Sequence, residues 1–303
     1  MLLAVVGAVS YGVTVVLGRR LAADGLGPAT ALGTRFLVAA AVLALVLKVR
    51  GMSLRPEPGE TVRLLLLGAI GYAAESTLFF LALQRGTAAT CALLFYAYPA
   101  LVVLIELARR REHARPPLVA ALALSTAGVV LIVVSGQGLE ISILGIVLAL
   151  GSGLIYAVYL LIGRELGRRS DAMVAACWLA VGAALSCLTR GVLIDGLDNP
   201  SGHWQVLFGY GVATAVAFWL TFAALSRIGA SRTAVVMTFE AVTAAALGVA
   251  FLGENLGPLQ AIGGTSVLAA AVLIAMTADT SRRSSTATTI PAPTVAGVTS
   301  RRT

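Results

Sequence analysis

The sequence predicts an all-α membrane protein whose ten transmembrane helices form two five-helix repeats of inverted topology. Three observations lead there. The 303-residue chain is 58% hydrophobic and only 12% charged, with a mean hydropathy of +0.93, outside the usual range of soluble globular domains. Charge-poor segments of about 20 residues, the length that crosses a bilayer at roughly 1.5 Å rise per residue, recur along almost the whole chain. The second half also repeats rare residues of the first at a fixed spacing.

Reading between charges gives spans at 2–17, 29–47, 64–84, 87–107, 117–136, 143–163, 172–189, 204–225, 233–252 and 259–277. The connections carry helix punctuation: "DGLGP" at 24–28, "RPEPG" at 55–59, "ARPP" at 114–117, "SGQG" at 135–138, "DNPSG" at 198–202 and "GENLGP" at 253–258. Met1-Leu2-Leu3 enters an apolar segment without a basic stretch ahead of it, so no cleavable signal peptide is expected. The segment "DTSRRSSTATTIPAPTVAGVTSRRT" from 279 is rich in Ser, Thr and Pro and reads as a disordered tail.

Alternate connections differ sharply in Lys and Arg. One set holds Lys48, Arg50, Arg55 and Arg63; Arg109, Arg110, Arg111 and Arg115; Arg164, Arg168 and Arg169; Arg227 and Arg232; and Arg282, Arg283, Arg301 and Arg302 of the tail. The other set holds only Arg19, Arg20, Arg85 and Arg190. By the positive-inside rule both termini are cytoplasmic, in an inner or plasma membrane. The same clustering accounts for the net charge of +8 without nucleic acid as a partner. Cys91, Cys177 and Cys187 all fall inside apolar segments. Cys177 and Cys187 would lie about 15 Å apart along one helix, too far for a disulfide, and read as small apolar fillers.

Shifted by 142 residues, the third-to-fifth spans align with the eighth-to-tenth. Phe80 falls on Phe222, Arg85 on Arg227, Glu112 on Glu254 and Pro116 on Pro258. "YGVTVVLGRRL" at 11–21 matches "YAVYLLIGREL" at 156–166 at a shift of 145. The division expected is 1–139, 140–278 and the tail 279–303. Five spans per half is an odd number, so the second half inserts upside down, an arrangement common in secondary transporters.

These stretches, with "RFLVAAAVLAL" at 35–45, "YPALVVLIELARRRE" at 98–112 and "FEAVTAAALGVAFLGENLGPLQAIGGTSVLAAAVLI" at 239–274, resemble the EamA family of the drug/metabolite transporter superfamily over roughly residues 1–277. The resemblance implies an inner-membrane exporter of amino acids, metabolites or drug-like compounds. The family usually has proline after the membrane glutamate of the ninth span; here Ala241 stands there, while its repeat mate Pro99 is kept. Since proline removes a backbone hydrogen bond, the ninth helix is expected to be straighter.

Ionisable side chains inside spans cost about 2.5–3.5 kcal/mol on insertion scales and are functional candidates by default. Glu240 sits about 10 Å into its span by helical rise, placed to exchange a proton or hold a substrate. Glu75 is the lone charge of "LLLLGAIGYAAESTLFFLALQ" at 64–84, and its alternative role is a helix–helix hydrogen bond. Arg35 lies near the start of the second span, where a long side chain can also snorkel to the interface. Glu106 reads as a helix-surface partner of Arg110, and Glu112 and Glu254 as turn residues. Tyr11, Tyr72, Phe95, Tyr96, Tyr98, Tyr156, Tyr159, Trp219 and Thr238 could wall a cavity; Tyr98, repeat mate of Glu240, and Trp219 are selected as substrate-binding candidates. Trp204 reads as an interface anchor.

Enzyme chemistry finds no parts. His113 and His203 fall in connections on opposite sides, there is no Walker loop or H-E-x-x-H, and "GSG" at 151–153 reads as close helix packing. No cofactor and no metal are expected. The reading is a secondary exporter of a small organic solute, coupled to protons by antiport, in contact with lipid. An uncoupled facilitator or channel, or a non-transport membrane scaffold, is the alternative. Sequence leaves the substrate and oligomeric state open.

Overall fold

A computed structural model describes residues 2–108, 116–134, 141–166, 170–237, 239–253, 255 and 257–287. Glu112, His113, Thr238, Glu254 and the chain beyond Ala287 lie outside this set. Among the described residues all regular structure is helical: α1 Leu2–Ala23, α2 Pro28–Val49, α3 Thr61–Leu66, a π-helical turn Leu67–Tyr72, α4 Ala73–Leu83, α5 Ala88–Phe95, α6 Tyr98–Ala108, α7 Pro116–Val134, α8 Ile143–Leu166, α9 Ala172–Arg190 with a second π turn Gly191–Asp195, α10 Trp204–Met237, α11 Phe239–Leu252 and α12 Pro258–Ala287. Five stretches are long and apolar enough to cross a bilayer: Val5–Ala23, Pro28–Val49, Thr61–Leu83, Ala172–Asp195 and Trp204–Ala224. Val119–Gly128, Ile143–Tyr159 and Val242–Leu252 add shorter apolar helices. The protein is a multi-pass membrane protein, and exposed side chains such as Ile70, Leu193 and Phe251 present the apolar surface that lipid requires. Trp204 is exposed at the first turn of α10.

Helix starts follow the sequence signals. Pro28 and Pro258 open α2 and α12, where a missing N–H costs nothing. The Thr87 hydroxyl accepts from the Thr90 amide, and the Asp171 carboxylate from the Met173 amide, as caps of α5 and α9.

Four expected boundaries are corrected. α1 continues past residue 17 to Ala23, and its Arg19 donates to the Leu83 carbonyl at the end of α4, 3.0 Å away. The fourth span is two helices, α5 and α6, because Pro99 has no N–H with which to bond back to the carbonyl four residues earlier. The expected connection at 226–232 is helical, within α10. Yet the Thr221 hydroxyl lies 4.0 Å from the Met237 sulfur, whereas 16 residues of straight helix rise about 24 Å. The chain therefore doubles back between them. Finally, α12 runs to Ala287 because no Gly or Pro interrupts 278–287, so the tail expected from 279 begins as helix.

Helix pairing has a regular pattern. α1 packs on α10 and α11, and α8 on α4 and on α5 and α6; α2 packs on α9, and α7 on α12. The α2/α9 pair is antiparallel: Ala29 lies by Gly191, Gly33 by Leu188, and the Cys177 thiol by the Ala40 carbonyl. Each N-terminus of this pair is met by an acid from the other half. Asp198 accepts from the Gly27 amide at 2.7 Å, and its own amide donates to the Thr30 hydroxyl at 2.8 Å. At the opposite end Glu60 accepts from the Ser170 amide at 3.1 Å and from the Ser170 hydroxyl, while the Glu57 amide donates to that hydroxyl.

Candidate functional site

Glycines let several helix pairs approach closely, Gly68 and Gly182 among them, and three charged side chains meet at a shared centre. The π-helical turn Leu67–Tyr72 delivers Glu75 there, in the first turn of α4; such turns insert an extra residue and rotate the side chains beyond them to a new face. Glu75 is buried at 6% exposure. It accepts from the Ser76 hydroxyl at 2.9 Å and from the Ser152 hydroxyl of α8 at 3.0 Å. Gly153, beside Ser152, lets α8 approach α5, since a Cβ there would stand 2.9 Å from the Phe95 carbonyl oxygen. Close packing at "GSG" is thus as expected, and its serine is also a ligand of the carboxylate.

Arg35, in the second turn of α2, is equally buried at 6% exposure, so it does not snorkel. Its Nε donates to the Thr214 hydroxyl at 2.7 Å and its Nη1 to the Tyr210 hydroxyl at 3.0 Å. The guanidinium also lies 4.5 Å from the centre of the Tyr210 ring and 5.0 Å from that of Phe36, within cation–π range. Among the described residues no carboxylate stands within ion-pair distance of it; hydroxyls and ring faces hold the charge.

Glu240 lies in α11 and faces the same centre. It accepts from the Tyr96 hydroxyl at 3.0 Å, and that same hydroxyl contacts the Met237 carbonyl. The end of α5 therefore meets the Met237–Glu240 stretch at Tyr96. The expectation of a straighter ninth helix falls across Thr238, which lies outside the described residues.

These three charges face one cavity of about 40 Å³, lined also by Tyr11, Thr14, Val15, Tyr72, Ser76, Phe79, Phe95, Tyr156 and Tyr210. Its size suits a few water molecules at most. Behind this wall the rings continue edge to face: Tyr72 against Phe218 at 4.8 Å, and Tyr98 against Tyr156 at 4.9 Å. Of the five residues selected from the sequence, Glu240, Glu75 and Arg35 line the cavity together. Tyr98 is buried one layer back, and Trp219 is half-buried against the core away from it. The hydroxyls of Tyr96, Ser152, Tyr210 and Thr214 were not foreseen as ligands. The available signals were a serine between two glycines, and a Tyr and Thr four residues apart in an otherwise apolar helix.

Comparison with known proteins gives this arrangement a family. Residues 1–134 and again 143–276 match the EamA-like transporter family. The threonine/homoserine exporter RhtA of Escherichia coli (strain K12) is 28% identical over 213 residues, 69% of each chain. The uncharacterized transporter YwfM of Bacillus subtilis (strain 168) is 28% identical over 203 residues, 66% of this chain and 69% of its own. A crystal structure of a protein 22% identical superposes with a TM-score of 0.65, covering 92% of this chain and 98% of that one, a likeness of fold. With its family pattern matched twice and its polar centre shared between the two matches, the chain belongs to the EamA-like transporter family.

Proposed function

We propose that the protein is a proton-coupled exporter of a small organic solute, with Glu240 exchanging a proton for substrate and Glu75 and Arg35 as polar neighbours of the path. The halves 1–139 and 140–278 are inverted repeats that rock about the cavity, in an inner membrane with both termini cytoplasmic. One observation carries this reading: two carboxylates and a guanidinium converge on a single cavity beside the break between α5 and α6. Charges inside a membrane are costly, and discontinuous helices at the contact between repeats are where secondary transporters bind solute and ion. The exchange of partners supports the inversion, because α1 on α10 and α11 mirrors α8 on α4 and α5–α6, while α2 on antiparallel α9 maps onto itself.

The charge set favours a zwitterion. A guanidinium suits a carboxylate, and Glu75 or Glu240 suits an ammonium. An amino acid such as threonine, named for the relative RhtA, is the first solute to try. The present cavity is well below the roughly 300–1,000 Å³ of organic-ligand pockets, so solute entry needs the halves to part. The test is substrate-induced proton movement in proteoliposomes, with L-threonine and a panel of other amino acids against wild type and Glu240→Gln. Proton movement with wild type alone is expected. Solute flux without proton movement in wild type makes the protein a facilitator and overturns the coupling.

A further inference from the structure

Tyr96 is the residue whose bonding depends on whether Glu240 carries a proton. It follows the last residue of α5, is buried at 1% exposure, and has no charge of its own to supply. Its hydroxyl reaches two acceptors on the other half of the molecule: the main-chain carbonyl of Met237, and Oε2 of Glu240 at 3.0 Å. A phenol has one proton to donate and lone pairs with which to accept. Two acceptors thus compete for one donor.

We propose that Tyr96 reads the protonation state of Glu240 and converts it into a link between the end of α5 and the main chain at Met237. With Glu240 ionised, the Tyr96 O–H turns to the carboxylate, since a charge-assisted bond is about twice as strong as a neutral one, and the Met237 carbonyl loses its donor. When a proton arrives from water in the cavity, it stays on Glu240. The new carboxyl O–H donates to the phenol oxygen, and the phenol O–H turns to the Met237 carbonyl. One proton enters, the phenol remains neutral, and a directed chain Glu240–Tyr96–Met237 ties the two halves. The inference rests on Glu240 as the proton site. The groups facing Glu240 are Tyr11 on α1, Arg35 on α2, Glu75 on α4, Tyr98 on α6 and Tyr156 on α8, besides Tyr96 itself. Arg35 is bonded to Thr214 and Tyr210, and Glu75 to Ser76 and Ser152. Among the described residues Tyr96 is the donor to Glu240.

The experiment needs no solute. Amide hydrogen exchange is followed in the full-length protein in nanodiscs from about pH 5 to 9, corrected for intrinsic exchange, in peptides spanning the α10–α11 junction. Wild type should gain roughly tenfold protection there as pH falls and the link forms. Tyr96→Phe should stay unprotected at every pH. Glu240→Gln should stay protected at every pH, because its amide donates to the phenol as the protonated acid does. Retention of the wild-type profile by Tyr96→Phe, or by Glu240→Gln where Tyr96→Phe does not fold, overturns the inference. A wild-type profile that is flat across the range overturns it too. In that case proton-coupled flux in proteoliposomes still decides the transport reading separately.

Discussion

Gly182→Ala gives the sharpest test of how the helices are held, because its sign is opposite to what helix propensity alone demands. Alanine in mid-helix is favoured over glycine by about 0.8–1.0 kcal/mol. A Cβ at Gly182, however, would stand 2.2 Å from the Leu65 carbonyl oxygen, and across the same seam a Cβ at Gly68 would stand 2.1 Å from that of Leu179. Carbon and oxygen need about 3.3 Å, so the two backbones must part by about 1 Å. Overpacking costs typically 1–3 kcal/mol, and with backbone on both sides of the clash the upper half applies. The net is a loss of about 1–2 kcal/mol. The consequence reaches the site, since Glu75 follows Gly68 by two turns and its bond to Ser152 is already 3.0 Å long. Thermal unfolding in detergent and L-threonine or panel flux in proteoliposomes are measured together. Gly209→Ala is the control: a Cβ there meets only Leu17 Cδ1, at 3.8 Å, so it should be neutral or stabilising. Gly68→Ala with Gly182→Ala should cost less than their sum, as one opening serves both. A Gly182→Ala protein as stable as Gly209→Ala would refute the reasoning.

Arg35→Lys replaces a fork held by Thr214 and Tyr210 with a point charge; solute exchange should fall at least about tenfold, more than for Thr214→Ala, which leaves the guanidinium in place. Ser152→Ala removes one of two hydroxyl donors to buried Glu75, a loss of about 1.5–3 kcal/mol if the carboxylate is charged. It should lower the unfolding temperature, and Ser152→Thr should restore part of it.

The centre of the molecule was legible in sequence wherever a charge had to be explained. Glu240, Glu75 and Arg35 stand out because hydrocarbon tolerates a charge only where other groups face it, and all three line the cavity. Their partners were not legible, because a hydroxyl in an apolar helix can bond its own backbone as readily as a distant residue. Thr77 does so to the Ala73 carbonyl, while Thr214 bonds the Tyr210 carbonyl and also accepts from Arg35. Trp219 shows the converse: a large aromatic in a membrane helix has several good environments, and here it takes the core. The π turn before Glu75 has no compositional mark, since "LGAIGY" reads equally well as ordinary helix. The reversal inside α10 was legible from its arginines, although the local residues remain helical through it.

The caps at the two ends of the α2/α9 pair bear on how the halves move. Asp198 holds Gly27 at one end and Glu60 holds Ser170 at the other, and both are made at once. In this conformation, then, neither end of the pair has parted. Alternating access needs one end to open while the other stays joined, so each cap should oppose one opening and leave the other alone. Removing an N-terminal cap costs about 0.5–2 kcal/mol, a factor of roughly 2–30 in a two-state population. Asp198→Ala and Glu60→Ala should therefore bias the protein in opposite directions. A cysteine in place of cavity-lining Thr14, with Cys91, Cys177 and Cys187 replaced by alanine, reports this through a membrane-impermeant maleimide added from either side. One variant should raise labelling from one side and the other variant from the opposite side. Because the caps sit at opposite ends of an antiparallel pair, a rise from the same side in both cannot arise from rocking about the cavity; it would mean that the caps only hold the helices in place.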